Sequence, residues 1–196
     1  IDLASNILES GKVNYWTGNH GKNFEKEFSE HFDVKYSIAM ANGSLALSSS
    51  YLALGLKKND EIITTPRTFI ATASSAVLLG YKPIFADVDL DSGLITSDTI
   101  EPLINKKTKA ISVVHLGGWP ADMNSICALA KKYNLKVVED CAQAHGAKIK
   151  CGEKFRNVGS FGNVSAWSFC QDKIMTTCGE GGMVTTNTRK YWDLIW

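Results

Sequence analysis

The sequence predicts an α/β fold, a three-layer α/β/α sandwich around a mostly parallel sheet, on three observations. From Tyr36 onward, short apolar runs alternate with stretches of helical length, and strands separated by such stretches imply βαβ units. Gly55 and Gly80 stand where two of the helical stretches should stop. No internal repeat, low-complexity tract or linker interrupts the alternation.

In chain order, residues 1–22 are polar and aromatic by turns, with Trp16, Gly18, His20 and Gly21 close together, and read as an amino-terminal arm. One large domain is expected over 23–196. Phe24, Phe28 and Phe32 recur every four residues among Glu25, Lys26, Glu27 and Glu30, which predicts a core-facing amphipathic helix over 23–32. Strands are expected at 37–41, 61–65, 83–87, 110–115, 136–140, 164–169 and 183–186, with helices over 44–54, 69–79, 97–104 and 123–133. Residues 191–196 look like the middle of an amphipathic helix, and the first residue is Ile1, so the chain is expected to be a piece of something longer.

Composition bounds the function. The 196 residues are 44% hydrophobic and 21% charged, which suits one or at most two globular domains and not a disordered or fibrous chain. With 21 basic and 20 acidic residues the net charge is +1, which leaves no footprint for nucleic acid or an anionic membrane. Any phosphate must therefore be gripped locally. The five cysteines are odd in number and contain no CxxC pair, so a disulfide framework is not expected and a reducing cytoplasm is. No apolar run reaches the length of a membrane span.

In a parallel α/β sheet the ligand lies beyond the carboxyl ends of the strands, so the residues just after each strand carry the chemistry. After the first strand comes ANGSLAL (41–47), where Gly43 allows close backbone approach and Ser44 opens a helix. That is either a plain N-cap or a phosphate seat at the helix dipole. After the second comes TPRTFIAT (65–72), in which Pro66 ends the ladder and places Phe69 to stack on a planar ring or to fill the core. After the fifth comes VEDCAQAHG (138–146). Asp140 emerges there at the strand end, where burial requires a cationic partner: a protein arginine, a metal or a protonated ring nitrogen. A metal would enlist Asp140, His145 and His115, but no ligand spacing supports it, and the histidines read as hydrogen-bonded structural groups or substrate contacts. Finally SAWSFCQDKIMTTCGEGG (165–182) runs from an apolar strand into Lys173 and a glycine-rich turn, a lysine placed for chemistry.

A lysine and an acid at neighbouring strand ends, an aromatic ring and a phosphate seat match the needs of pyridoxal phosphate (PLP). Its aldehyde takes a lysine as a Schiff base, its ring nitrogen needs an anion, and its phosphate needs amides and hydroxyls. An opposite charge about 4 Å away at an effective dielectric of about 20 supplies roughly 4 kcal/mol, about three pK units, which keeps the pyridine nitrogen protonated.

Together the motifs ANGSLAL, TPRTFIATA (65–73), VHLGGWPADM (114–123), VEDCAQAHGA (138–147), VGSFG (158–162) and SFCQDK followed by GEGG resemble the sugar aminotransferases of PLP fold type I. The resemblance extends from Trp16 to Asn187 and implies the large domain of that fold, with a carboxyl-terminal small domain beyond this chain. It implies Lys173 as the Schiff-base lysine and proton shuttle, Asp140 as the pyridinium partner, Gln143 beside the phenolic oxygen and Phe69 as the stacking ring. Gly43, Ser44 and Ser168 would form the phosphate seat. It further implies glutamate as amino donor, a nucleotide-linked keto sugar as acceptor, and a homodimer sharing its active sites. In a related branch a histidine replaces the lysine and the outcome is deoxygenation, so Lys173 favours transamination. Cys178 departs from the pattern, standing in a turn where glycine is expected. The competing readings are a dehydratase of the same fold and an inactive paralogue that only binds.

Overall fold

The computed structural model describes residues 1–196. Two helices come first, α1 (Asp2–Ser10) and α2 (His20–Phe32), followed by β1 (Tyr36–Met40), α3 (Gly43–Ala53), β2 (Glu61–Thr64), α4 (Ala71–Leu78) and β3 (Lys82–Phe85). Next are α5 (Ser97–Ile100), β4 (Thr108–Val114), α6 (Met123–Lys132) and β5 (Lys136–Asp140). A hairpin of β6 (Lys148–Cys151) and β7 (Lys154–Asn157) precedes β8 (Val164–Ser168), β9 (Gly182–Thr186) and α7 (Arg189–Ile195). No helix is long and apolar enough to cross a membrane.

The main sheet has the order β1-β9-β8-β5-β4-β2-β3. Only β9 runs against its neighbours, pairing antiparallel with β1 and with β8, while the pairs from β8 through β3 are parallel. It follows that β1 points the same way as β8, and the carboxyl ends of β1, β8, β5, β4 and β2 share one edge. All seven strands fall where apolar runs placed them, within a residue or two.

Period-two alternation splits the strand side chains between two cores. Ile63, Ile111, Val113, Val137, Trp167 and Met183 face one side with Phe28, Phe32, Ile100 and Ile126 of α2, α5 and α6. Ile62, Ala110, Val138, Ala166 and Val184 face the other with Leu47, Tyr51, Ala76 and Tyr191 of α3, α4 and α7. This is the expected three-layer sandwich.

Four local expectations need correction. The segment 1–22 contains the helix α1, none of whose residues is buried, although Leu3, Ile7 and Leu8 recur at helical spacing. Helix α2 begins at His20 rather than 23. The helix expected over 69–79 begins at Ala71 because the turn after Pro66, with Thr68 N–H donating to Pro66 O, delays it. The one expected over 97–104 ends as α-helix at Ile100 and continues as a 3₁₀ turn over Glu101–Leu103, where Pro102 has no N–H to extend the ladder.

Candidate functional site

The shared carboxyl edge carries a cleft of about 540 Å³, the size of a small-molecule site. Gly43, Ser44, Phe69, Asp140, Gln143, Ser168 and Lys173 all line it. The topology is what gathers them, since β1, β8, β5 and β2 end on the same edge of the sheet and each contributes the residues that follow it.

At the β1 end, α3 is capped by Asn42 rather than Ser44: the Asn42 side chain accepts from Leu45 N–H at 2.9 Å. Ser44 therefore keeps its hydroxyl exposed in the cleft, and the amides of Gly43 and Ser44 lie in the first turn, outside the helix ladder. Gly43 packs so closely on β8 that a Cβ there would sit 2.6 Å from the Ser168 Cβ. The seat is thus a bare helix N-terminus with one serine hydroxyl on each side, suited to a phosphate.

Asp140, at the end of β5, is 5% exposed. Its Oδ2 accepts from the Thr72 hydroxyl at 2.7 Å and its Oδ1 from Ala142 N–H at 3.1 Å. Burial pushes its carboxyl above the usual range, opposed by those two hydrogen bonds and by the charge of Lys173. A carboxylate that is buried at a cleft wall and paired with no cation at contact distance suits a cationic ligand group.

Lys173 lies in the segment joining β8 to β9, which is folded back on itself by Phe169 N–H to Gly181 O at 2.8 Å and Gln171 N–H to Gly179 O at 2.9 Å. Its side chain is 17% exposed and its Nζ rests 3.0 Å from Asp172 Oδ2. That carboxylate is largely exposed, so the pair holds the lysine weakly. The closing glycines serve protein packing: a Cβ on Gly181 would fall 2.0 Å from Thr177 Oγ1, and one on Gly182 would fall 2.5 Å from Asn42 O. Cys178 takes the left-handed conformation, φ 56°, that glycine accepts without cost.

Phe69 is 66% exposed, which rules out the core reading for it and leaves its ring at the cleft. Gln143 Oε1 accepts from Gly117 N–H at 2.7 Å, which leaves the side-chain amide hydrogens free as donors.

The metal reading does not survive. The side chains brought together, within 4.8 Å, are His115, Glu139 and Cys141 rather than Asp140, His145 and His115. Two of the three are already engaged: Glu139 accepts from Gly159, Phe161 and Gly162 N–H at 2.8, 2.8 and 2.6 Å, and its Oε2 lies 3.2 Å from His115 Nε2. His115 Nδ1 accepts from Ala121 N–H, so its Nε2 is the donor. Burial alone would raise the Glu139 carboxyl, but the hydrogen bond from His115 and the glycine amides outweigh it and hold it low. His115 is thus a hydrogen-bonded structural group, but His145 is not, because neither of its ring nitrogens has a partner. The ring packs instead against Trp167 and Phe169, and burial, opposed by a contact with the Ser168 backbone that falls short of a hydrogen bond and reinforced by the Lys173 charge, pulls its pKa down to about 4.

Sequence reasoning missed Thr68 and Thr72, which line the cleft, and the Glu139–His115 pair, which does not. The spacing of Thr68 and Thr72, four apart and reaching the end of a neighbouring strand, was the signal available for the first pair. The second spans 24 residues and becomes visible only once β4 and β5 are paired.

Comparison with known proteins places this geometry among relatives. Residues 1–195 match the DegT/DnrJ/EryC1/StrS aminotransferase family. The GDP-perosamine synthase of Escherichia coli O157:H7 is 44% identical over 176 residues, covering 90% of this chain and 47% of that protein. An aminotransferase structure from Psychrobacter cryohalolentis is 55% identical with a TM-score of 0.95, covering 100% of this chain and 48% of its own. The NtdA structure from Bacillus subtilis, solved with the cofactor PMP bound, is 31% identical with a TM-score of 0.88, covering 97% of this chain and 42% of its own. The chain spans about half the length of the curated relatives it matches.

Proposed function

Because the chain belongs to the DegT/DnrJ/EryC1/StrS aminotransferase family, whose cofactor is pyridoxal phosphate, we propose that it is the cofactor-binding part of an aminotransferase acting on nucleotide-linked keto-deoxy sugars. In this reading glutamate is the amino donor, the amino sugar feeds surface polysaccharide or glycan synthesis in the cytoplasm, and a second copy of the protein completes each site. The five free cysteines favour a reducing compartment.

The observation that carries the reading is the placement, in one cleft, of the amine of Lys173 and the buried carboxylate of Asp140. The residues fit the cofactor. Asp140 is held by a hydroxyl and an amide but by no cation at contact distance, and the tight Gly43–Ser168 approach frames a helix N-terminus open to a phosphate.

When bound, the cofactor supplies an electron sink that stabilises negative charge at the carbon carrying the amine. The chain's own residues divide the remaining work. Asp140 would hold the ring nitrogen of the bound cofactor. Gln143, its Oε1 occupied by Gly117, offers only N–H donors to the cleft. The first-turn amides of α3, with Ser44 and Ser168, hold the phosphate. Phe69, exposed at the cleft, would stack on the cofactor ring. Lys173 Nζ is the proton carrier, and its single contact with an exposed carboxylate leaves it free to move.

The presence of Lys173, where histidine marks the deoxygenating branch, favours transamination over dehydration. The test is to incubate the PLP-loaded protein with glutamate and then with nucleotide-linked 3-keto or 4-keto deoxy sugars. Release of 2-oxoglutarate followed by an aminated sugar is expected. Water loss from the sugar without amine transfer would favour the dehydratase, and neither product would favour the binding paralogue.

A further inference from the structure

We propose that Thr72 is a positioning residue for this reaction, its hydroxyl fixing the orientation and ionisation of Asp140, with Thr68 committing the Thr72 proton to that carboxylate. The inference rests on the functional reading above.

Three hydrogen bonds carry it. Thr72 Oγ1 lies 2.7 Å from Asp140 Oδ2, Thr68 Oγ1 lies 2.9 Å from Thr72 Oγ1, and Ala142 N–H donates to Asp140 Oδ1. An amide can only donate, so Oδ1 is always an acceptor and any proton on Asp140 must sit on Oδ2. Oδ2 faces a hydroxyl, which has one proton and can point either way.

When Asp140 is ionised, Thr72 must donate to Oδ2, and the Thr68 contact must then run from Thr68 to Thr72. When Asp140 is protonated, Oδ2 donates to Thr72 and the chain reverses toward Thr68. Thr68 is half-buried and lines the cleft, so its hydroxyl can start the chain from the solvent side. Thr72 is 1% exposed, so water cannot replace it as the donor to Oδ2. Its backbone is fixed as well, because Tyr51 Oη donates to Thr72 O at 2.8 Å and shares a hydrogen bond with Ser112.

The other titratable groups around Asp140 are accounted for. Lys173 attracts its charge, the neutral His115 ring is engaged by Ala121 and Glu139, Cys141 adjoins it in the chain, and Tyr51 touches Thr72 through the backbone only. Burial raises the Asp140 carboxyl, and the Thr72 hydrogen bond is the first of the contacts that oppose it. Removing that hydroxyl shifts the shared proton away from the cofactor nitrogen and toward the carboxylate.

The test uses the chain loaded with PLP labelled with ¹⁵N in its ring, comparing the parent, Thr72→Val, which keeps the shape and loses the hydroxyl, and Thr72→Ser, which keeps the hydroxyl. The parent should show a protonated ring nitrogen. In Thr72→Val the pH at which that nitrogen loses its proton should fall by about one unit, a tenfold change in proton affinity. Thr72→Ser should restore it. In the cofactor-free chain, ¹³C titration should find the Asp140 carboxyl raised in Thr72→Val and restored in Thr72→Ser, a readout independent of cofactor loading and of activity. Borohydride labelling of Lys173 in the parent checks the functional reading separately. Labelled Lys173 with ¹⁵N and ¹³C titrations unchanged in Thr72→Val overturns the proposal alone. An unlabelled Lys173 in the parent overturns the functional reading and the proposal with it.

Discussion

Replacing Glu139 by glutamine removes a buried charge that ties three segments together. Its Oε1 accepts from Phe161 and Gly162 N–H, and its Oε2 from Gly159 N–H and His115 Nε2. A glutamine can present oxygen to only one of these pairs, and its NH₂ must then face the other two donors. Two buried donors left without an acceptor cost about 1–3 kcal/mol each. For a chain of this length 1 kcal/mol moves the melting temperature by about 2–4 °C, so Glu139→Gln should lower it by about 10 °C. The sign with pH follows from the lowered folded pKa: the stabilisation is present above the unfolded pKa and lost as pH falls through the folded value. Glu139→Gln should therefore also flatten the acid side of the stability curve. Thermal melts by circular dichroism from acid to neutral pH are the assay. A variant melting within about 2 °C of the parent would refute the claim that this carboxylate anchors the loop from Gly159 to Gly162.

Three further outcomes are expected. His145→Leu should not destabilise the fold, because the ring nitrogens it deletes have no partners. The folded pKa of His145, about 4, lies below its unfolded one, so the unfolded chain binds more protons as pH falls through that window. The variant should accordingly lose the decline in stability between about pH 6.5 and 4 that the parent shows in urea titrations. Cys178→Gly should hold or raise stability, whereas Cys178→Val, β-branched at φ 56°, should lose about 1–2 kcal/mol in the same assay. Gly43→Ala should weaken PLP binding by at least about tenfold, 1.4 kcal/mol, because its Cβ must displace Ser168 or the turn, and fluorescence titration of the cofactor would read it.

Much of the fold was legible because strand burial is written in consecutive apolar residues. Val137, Val138, Ala166 and Trp167 are buried whichever core they face, so their runs stand out. The direction of β9 was not written in Met183 to Thr186 itself. It follows from the lack of a helix between Ser168 and Gly182, since a parallel return needs a crossover of greater length. The helix α1 was missed although Leu3, Ile7 and Leu8 recur at helical spacing, and its stripe meets no core: Leu3 and Leu8 are exposed. The hairpin β6–β7 escaped because Lys148, Lys150, Lys154 and Arg156 dominate it and only Ile149 is buried.

The cleft was legible where one residue type had one chemical use. Lys173 and Asp140 at strand ends were expensive to place there without a purpose, and they line the same cleft. Phe69 was ambiguous from sequence because a phenylalanine serves a core as well as a cleft, and its exposure settles where it stands. Ser44 was a candidate cap only because Asn42 was passed over, though Asn42 is two residues nearer the strand and of a type that caps as well. Thr72 was read past because a threonine among Ile70, Ala71 and Ala73 resembles a core-facing helix residue. The proline and glycine signals predicted turns well, but the need for Gly181 and Gly182 comes from contacts with Thr177 and Asn42, which no local pattern contains.

The most direct test of the central claim is reductive labelling. The purified chain is incubated with PLP, treated with borohydride, digested and mapped by mass spectrometry. A pyridoxyl adduct on Lys173 that persists in Lys190→Ala and disappears in Lys173→Ala is the predicted result. Bound cofactor with no adduct at Lys173, or an adduct spread over the surface lysines, would contradict the account.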